Sequence, residues 1–301
     1  MNYMEVEYDE FERKTVIVIT GASGFIGSHL VERAGKNFVS CDVRGHPTFS
    51  PTGLIKYLKN TENHVECVYH LGAISSTTEK DVTKLTKNNV LFSCQLLDLC
   101  IKRNIPFVYA SSASVYGLGN NGFSENARLT PLNYYAISKA SFDMFAIQKM
   151  KDHVGSKIVG LRYFNVYGNR EESKGDMASP VHKFLKQAEQ YKKIKVFKGS
   201  DGLSRDFIHV DDVVSITKNA TEFKKSGIYN VGTGVARSFM DVAEIISKYT
   251  NVSQIQEIPF PKHLIGKYQN YTCSDNTKIN FIECPTHRVS LEDGIQRVMG
   301  G

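Results

Sequence analysis

The chain has 301 residues, 41% of them apolar and 23% charged, which is enough to bury a sizeable core without disulfides or a metal. Thirty-seven Lys and Arg against 31 Asp and Glu give a net charge of +6, an excess that suits an acidic small-molecule ligand and is too weak and dispersed for nucleic acid. No apolar run approaches the ~20 residues that span a bilayer, and Met1 to Lys14 is an acidic extension with no apolar signal core. A cytoplasmic protein without a membrane partner is expected. The six cysteines form no C-x-x-C pair and no His cluster has zinc spacing, so free buried thiols and no metal site are expected.

In chain order, Thr15–Thr20 (TVIVIT) reads as a buried strand, followed by strands at Asn37–Asp42, Glu66–His70, Pro106–Ser111 and Lys157–Arg162. Helical periodicity runs through Asp81–Arg103 and Tyr134–Met150. Alternation of this kind predicts an α/β fold, a doubly wound parallel sheet. After about residue 165 the pattern loosens. A polar stretch (Gly168–Pro180) precedes a helix at Val181–Tyr191, short strands at Ile194–Phe197 and Phe207–Val210, and a helix start at Asp211-Asp212. The expected division is a dinucleotide-binding domain over 1–167 and a smaller α/β substrate-binding lobe over 168–301, with about 206–236 returning to the first domain.

The first strand runs into glycines at 21, 24 and 27, followed by a helical pattern. The first glycine permits the tight turn, the second lets backbone approach a pyrophosphate, and the third lets the helix pack close to the sheet. Asp42 ends the next strand about 20 residues on, where a ribose-binding acid is expected. The alternation then becomes a Rossmann-type sheet with one dinucleotide per chain. Asp42 favours a free 2′-hydroxyl and NAD, whereas Arg44 suits a 2′-phosphate and NADP; the residues leave both open.

Tyr135 and Lys139 stand four apart, on one face of a helix. Ser112 lies at the end of a strand, where α/β enzymes place their chemistry. A phenol near pKa ~10 is a poor base at neutral pH, and Lys139 together with an oxidised nicotinamide would favour the phenolate. Ser112 would hold the reacting oxygen.

With these motifs the chain resembles the extended short-chain dehydrogenase/reductase family, in its nucleotide-sugar epimerase branch. The resemblance covers nearly the whole chain. Within that branch, Ser75–Glu79, Tyr109–Ser112, Arg162–Gly168, Lys174–Ser179, Arg205–Phe207 and Gly266–Gln269 resemble the ADP-L-glycero-D-manno-heptose 6-epimerases. The resemblance implies a homo-oligomer that takes a nucleotide-diphosphate sugar. Phe25 and Ile26 would line the pyrophosphate, and Leu71, Gly72, Ala73, Ser75, Asn88 and Val166 would contact the cofactor. Ser112, Tyr135 and Lys139 would be catalytic, with Lys174 a second acid/base on the substrate side. Ser75, Ser112, Asn165, Asp176, Phe197, Lys198, Gly199, Ser200, Arg205 and Tyr268 would hold the sugar nucleotide.

Plainer alternatives stay open: Asn165 as a turn cap, Lys174 as a solvated loop lysine, Arg205-Asp206 as an internal ion pair and Tyr268 as packing. Epimerisation at a carbinol carbon through transient oxidation needs proton handling on two sides, which Tyr135 and Lys174 would supply. Ala113-Ser114 stands where the branch's dehydratases carry Asp-Glu, which argues against elimination. A UDP- or GDP-sugar 4-epimerase and a nucleotide-sugar ketone reductase use the same Ser-Tyr-Lys group and remain as alternatives. A non-catalytic dinucleotide-binding regulator is a weaker one, because such proteins often lose the Tyr or the Lys. Relative to the heptose enzymes, the segment between Asp42 and His70 is short, Leu71 stands where an acid is common, and Asp176 replaces a small hydroxyl residue and would need a cation or hydroxyl partner.

Overall fold

The computed structural model describes residues 14–35, 37–42, 47–261, 268–280 and 288–300. Among them β1 (Thr15–Thr20), β2 (Phe38–Cys41), β3 (His64–His70), β4 (Phe107–Ser112), β5 (Ile158–Tyr163) and β9 (Gly227–Val231) make one sheet, ordered β2-β1-β3-β4-β5-β9 and parallel throughout. Between β5 and β9 lie β6 (Asn165–Tyr167), β7 (Lys193–Phe197) and β8 (Ser204–His209); β10 (Ala236–Ser238) and β11 (Gln254–Ile258) follow. These build a three-stranded sheet, β10-β8-β6, and a two-stranded one, β11-β7.

The helices are α1 (Phe25–Ala34), α2 (Pro51–Asn60), α3 (Val82–Leu85), α4 (Phe92–Lys102), α5 (Tyr134–Asp152), α6 (Pro180–Tyr191), α7 (Val210–Asn219), α8 (Phe239–Tyr249), α9 (Thr277–Asn280) and α10 (Leu291–Gly300). Parallel strands buried on both faces explain the continuous β-branched runs. One face packs Ile19 and Val108 with Leu30, Val213 and Val214 from α1 and α7. The other packs Val18 and Phe107 with Leu54, Leu58, Leu96, Leu97 and Phe142 from α2, α4 and α5. A third core joins Val181, Phe184, Val196, Phe207, Phe239, Ile246 and Ile295. Gly227–Val231 pairs with β5 in the main sheet, whereas Ser204–His209 pairs with β6 and β10.

Two elements differ from the sequence pattern. The short stretch after β2 carries one helix, α2, capped by Ser50 and opened by Pro51, and meets the sheet edge through a bridge from Phe49 to Cys41 and hydrogen bonds between Thr48 and Ser40. The single periodicity over 81–103 is split by a π-helical stretch, Thr86–Leu91, between α3 and α4. An i→i+5 turn adds one residue without interrupting the apolar stripe, so periodicity passes over it; such turns recur at functional sites.

Register brings the carboxyl ends together. Thr20 pairs with Cys41 and with His70, and Ser112 pairs with Tyr163, so Gly21, Asp42, Leu71 and Phe164 follow along one edge of the sheet. Ligands of open α/β sheets bind outside such an edge. Among the described residues no helix is long and apolar enough to cross a membrane, and no group of three or more His, Cys, Asp and Glu could hold a metal.

Candidate active site

The glycine turn is built by close contact. Gly21 has φ of +70°, and a Cβ there would lie 2.6 Å from the Gly72 nitrogen. A Cβ on Gly27 would lie 2.0 Å from the Gly21 carbonyl oxygen, so α1 can approach the turn only through a glycine. Gly24 is the N-cap of α1 and offers no side-chain cap, which leaves first-turn amides for an anion. The Asp42 carboxylate accepts the Ser23 amide at 3.0 Å and so leans over the turn. These features fit a dinucleotide: an uncapped helix start for the diphosphate and a carboxylate at the end of β2. Phe25 is buried and Ile26 packs against the core behind it. Arg44 lies outside the described residues.

Behind the turn runs a buried polar chain. The Gly72 amide donates to Thr20 Oγ1 (3.0 Å), which bonds His70 Nδ1 (2.7 Å). His70 Nε2 bonds Ser93 Oγ (2.7 Å), and Ser93 donates to the Asn89 carbonyl (2.9 Å). Because Ser93 gives its proton to the Asn89 carbonyl, its oxygen accepts from His70 Nε2, which assigns the ring proton to Nε2 and leaves Nδ1 to accept from Thr20. Burial pushes the imidazole down to about 3, and the charge of Lys139 adds to this.

The chain ends on a residue that sequence reasoning missed. Asn89, not Asn88, is the buried asparagine of the π-helical stretch. Its side chain accepts the Ile74 amide (2.8 Å) and donates to the Ile74 carbonyl and to Ser138 Oγ (both 3.0 Å). Ser138 in turn donates to the Tyr135 carbonyl at 2.7 Å. Asn89 therefore ties the loop after β3, with Leu71, Gly72 and Ala73, to the helix that carries Tyr135. Asn88 is half-buried and donates to the Lys84 carbonyl (2.8 Å), and Ser75 is exposed. The doublet Asn88-Asn89 gave no sequence signal to choose between its members.

Asn133 caps α5 by accepting the Ala136 amide, which sets Tyr135 in the first turn. Tyr135 is 9% exposed. Burial raises its hydroxyl above the ordinary phenol value, a hydrogen bond from Ser112 opposes this, and the charge of Asp143 adds to the rise. Ser112, at the end of β4, also accepts the Ser114 amide at 3.2 Å. Lys139 is buried, donates to the Ala110 carbonyl at 2.8 Å, and is pushed down to about 8 by burial, with Asp143 opposing. Sequence reasoning had Lys139 together with an oxidised nicotinamide favouring the phenolate; burial acts in the opposite sense. Among the described residues the buried Ser114 hydroxyl, two positions after Ser112, has no hydrogen-bond partner. Buried hydroxyls are ordinarily paired, so Ser114 has bonding capacity for a ligand here.

Lys174 is not a solvated loop lysine. Its Nζ lies 2.7 Å from Glu171 Oε2 and 4.6 Å from the centre of the Phe25 ring, beside the glycine turn. Asp176 is exposed; Lys183 Nζ donates to its backbone carbonyl at 2.7 Å and senses its charge. Both line a cavity of about 370 Å³ with Glu172, His182 and Lys186.

Arg205 and Asp206 do not pair. Neighbours on a strand point to opposite faces. The Asp206 carboxylate takes the Thr233 amide and hydroxyl and the Gly234 and Ser274 amides. Arg205 is 5% exposed, its guanidinium 5.0 Å from the Tyr268 ring centre and 5.5 Å from that of Phe239, and bonds the Tyr268 hydroxyl. Burial lowers its pKa from the usual guanidinium value, and Tyr268 opposes this. Phe197 packs edge-on against Phe260, which packs edge-on against Tyr268. Lys198 and Gly199 are exposed at the turn after β7, and the Ser200 amide closes that turn on the Phe197 carbonyl at 2.9 Å. Asn165 Oδ1 accepts from Thr272 Oγ1 at 3.5 Å, and Val166 packs against the main core.

A glycine-lined dinucleotide cradle followed by a serine–tyrosine–lysine group defines a nicotinamide-dependent enzyme that works on an alcohol carbon. The chain belongs to the NAD dependent epimerase/dehydratase family, whose model matches residues 17–232. It is 38% identical to the ADP-L-glycero-D-manno-heptose-6-epimerase of Alkalilimnicola ehrlichii and 39% identical to that of Brachyspira hyodysenteriae, in each case over 94% of this chain and 96% of the relative. The crystal structure of the Helicobacter pylori ADP-L-glycero-D-manno-heptose-6-epimerase superposes with a TM-score of 0.76 at 27% identity, covering 100% of this chain and 98% of that one.

Proposed function

We propose that this chain is an ADP-glycero-manno-heptose 6-epimerase, inverting the exocyclic carbinol carbon of a nucleotide-diphosphate heptose that serves surface-polysaccharide synthesis. The observation that carries the reading is the pair of proton-handling groups on separate elements: the Tyr135–Ser112 hydroxyls at the end of β4, and Lys174 held beside the glycine turn. Relatives of that name at 38% and 39% identity support it.

A bound nicotinamide supplies the hydride acceptor and, later, the hydride donor. Tyr135 takes the proton of the sugar hydroxyl while Ser112 holds the oxygen. The exocyclic carbon, now a carbonyl, turns about its bond to the ring and presents its other face. Lys174 then gives a proton to the oxygen as the C–H bond re-forms, and solvent returns both groups to their starting states. Arg205, a buried planar cation between aromatic rings, suits the diphosphate.

The test is to incubate the purified protein with the ADP-heptose of either C6 configuration and follow the C6 proton by NMR. Growth of the other diastereomer without net nicotinamide consumption is expected. Stoichiometric nicotinamide consumption would instead mark a ketone reductase, and inversion of a ring carbon in UDP- or GDP-sugars a 4-epimerase.

We further infer NAD as the preferred cofactor, because the Asp42 carboxylate overhangs the turn and would repel a 2′-phosphate. Loss of a charged hydrogen-bond partner predicts that Asp42→Ala binds NAD about tenfold more weakly and narrows its margin over NADP. Titration of both cofactors by calorimetry reads this, and an unchanged ratio would remove Asp42 from the ribose site.

A further inference from the structure

Glu171 was invisible to motif reading, yet it is wholly buried, at 0% exposure. Its two oxygens take four donors. Oε1 accepts the Gly168 amide (3.2 Å) and the Ser179 hydroxyl (2.7 Å); Oε2 accepts the Ser179 amide and Lys174 Nζ (both 2.7 Å). Lys174 is the one cation of the four. One carboxylate thus closes the loop at both ends, because Ser179 is also the N-cap of α6. The loop is in turn laid on α1, the helix that begins at the glycine turn. Lys174 stands over the Phe25 ring, His29 Nε2 donates to the Asn169 carbonyl at 2.9 Å, and Arg170 pairs with Glu32. Lys183, the other cation at hand, is engaged by the Asp176 carbonyl.

We infer that Glu171 is a positioning residue: its buried carboxylate and the Phe25 ring together fix the Lys174 ammonium beside the glycine turn, so that proton delivery by Lys174 depends on Glu171. The inference rests on the acid/base role proposed for Lys174. A buried carboxylate stripped of its cation is strongly unfavourable, so the pair resists separation and the ammonium keeps one location through the reaction. When Lys174 gives up its proton, an N–H bond breaks as the substrate O–H forms. The amine is then re-protonated from water, which reaches a side chain 24% exposed.

The test is a cycle of Glu171→Gln, Lys174→Met and the double variant, read by epimerisation kcat and by thermal midpoint. Coupling within a contacting pair predicts that Glu171→Gln lowers kcat about tenfold in the native background and less than about twofold beside Lys174→Met. The double variant melts above Lys174→Met alone, because it no longer buries an uncompensated carboxylate. Equal kcat losses in both backgrounds, or melting losses that add, would overturn the inference. Should Lys174→Met leave kcat unchanged, the acid/base role of Lys174 fails, and with it the dependence of proton delivery on Glu171, while the melting arm still reports the pair. Glu171→Asp, charged but one methylene shorter, lowers kcat with KM unchanged; a raised KM at constant kcat counts against the positioning role.

Discussion

Tyr135→Phe is expected to lower epimerisation kcat by about a thousandfold, within the range for a lost general acid–base, while the protein still folds and binds its dinucleotide. The phenol ring stays to fill its place, and only the hydroxyl bonded to Ser112 is lost. That hydroxyl is a poor base as the fold presents it, because burial raises its pKa and Asp143 adds to the rise. The Ser112 hydrogen bond opposes both, so Ser112→Ala should follow the same direction with a smaller loss. Lys139, pushed down to about 8 and bonded to the Ala110 carbonyl, keeps a cation near this site only below that pH. The remaining lowering of the phenol has to come from charge that the ligands bring. Steady-state NMR turnover beside fluorescence titration of the dinucleotide separates chemistry from binding. Native turnover in Tyr135→Phe would overturn the catalytic assignment.

The main sheet was legible because its signals are local. The TVIVIT run, the three glycines and Asp42 lie within 28 residues, and each acts through its neighbours in the chain or the adjoining strand. Tyr135 and Lys139 were legible for the same reason, as one helical turn. What escaped depends on contacts between distant segments. Glu171 matters because the chain folds back at Ser179, and a glutamate in a polar loop carries no mark of burial. Asn89 rather than Asn88 is the buried one because the π-helical turn faces one of two identical neighbours inward, a difference of one residue that periodicity does not resolve. At Arg205 and Asp206 adjacency left an internal ion pair open as an alternative, which strand alternation removes by sending the neighbours to separate partners. The opposing rise of the Tyr135 hydroxyl was not legible, because charge pairs are visible in a sequence and desolvation is not.

The largest stability effect is expected behind α5. Asp143 lies one turn beyond Lys139 on α5, and its side chain is 1% exposed against 2% for its partner Arg162 on β5. Arg162 Nε donates to Asp143 Oδ2 at 2.9 Å, and the Tyr109 hydroxyl donates to Oδ1 at 3.0 Å. Arg162 Nη1 reaches the Tyr116 hydroxyl at 3.0 Å, and Tyr116 donates to Asn230 on β9 at 2.6 Å. The network therefore joins α5 to β4, β5 and β9. Removing one member leaves the other charge buried and alone, so Asp143→Leu or Arg162→Met should each cost about 3–5 kcal/mol of folding stability. The double variant should cost clearly less than the two losses together, because an apolar pair of similar volume carries no stranded charge. Urea unfolding of the four proteins measures this, and strictly additive losses would show that the two side chains act independently. Asp143→Leu carries a second consequence for the site. Asp143 opposes the burial that depresses Lys139, so its loss lets the lysine fall further and moves the loss of its charge to lower pH. A variant refolded by added stabilising osmolyte should therefore remain impaired on the alkaline side, which a loss of folding alone would not produce.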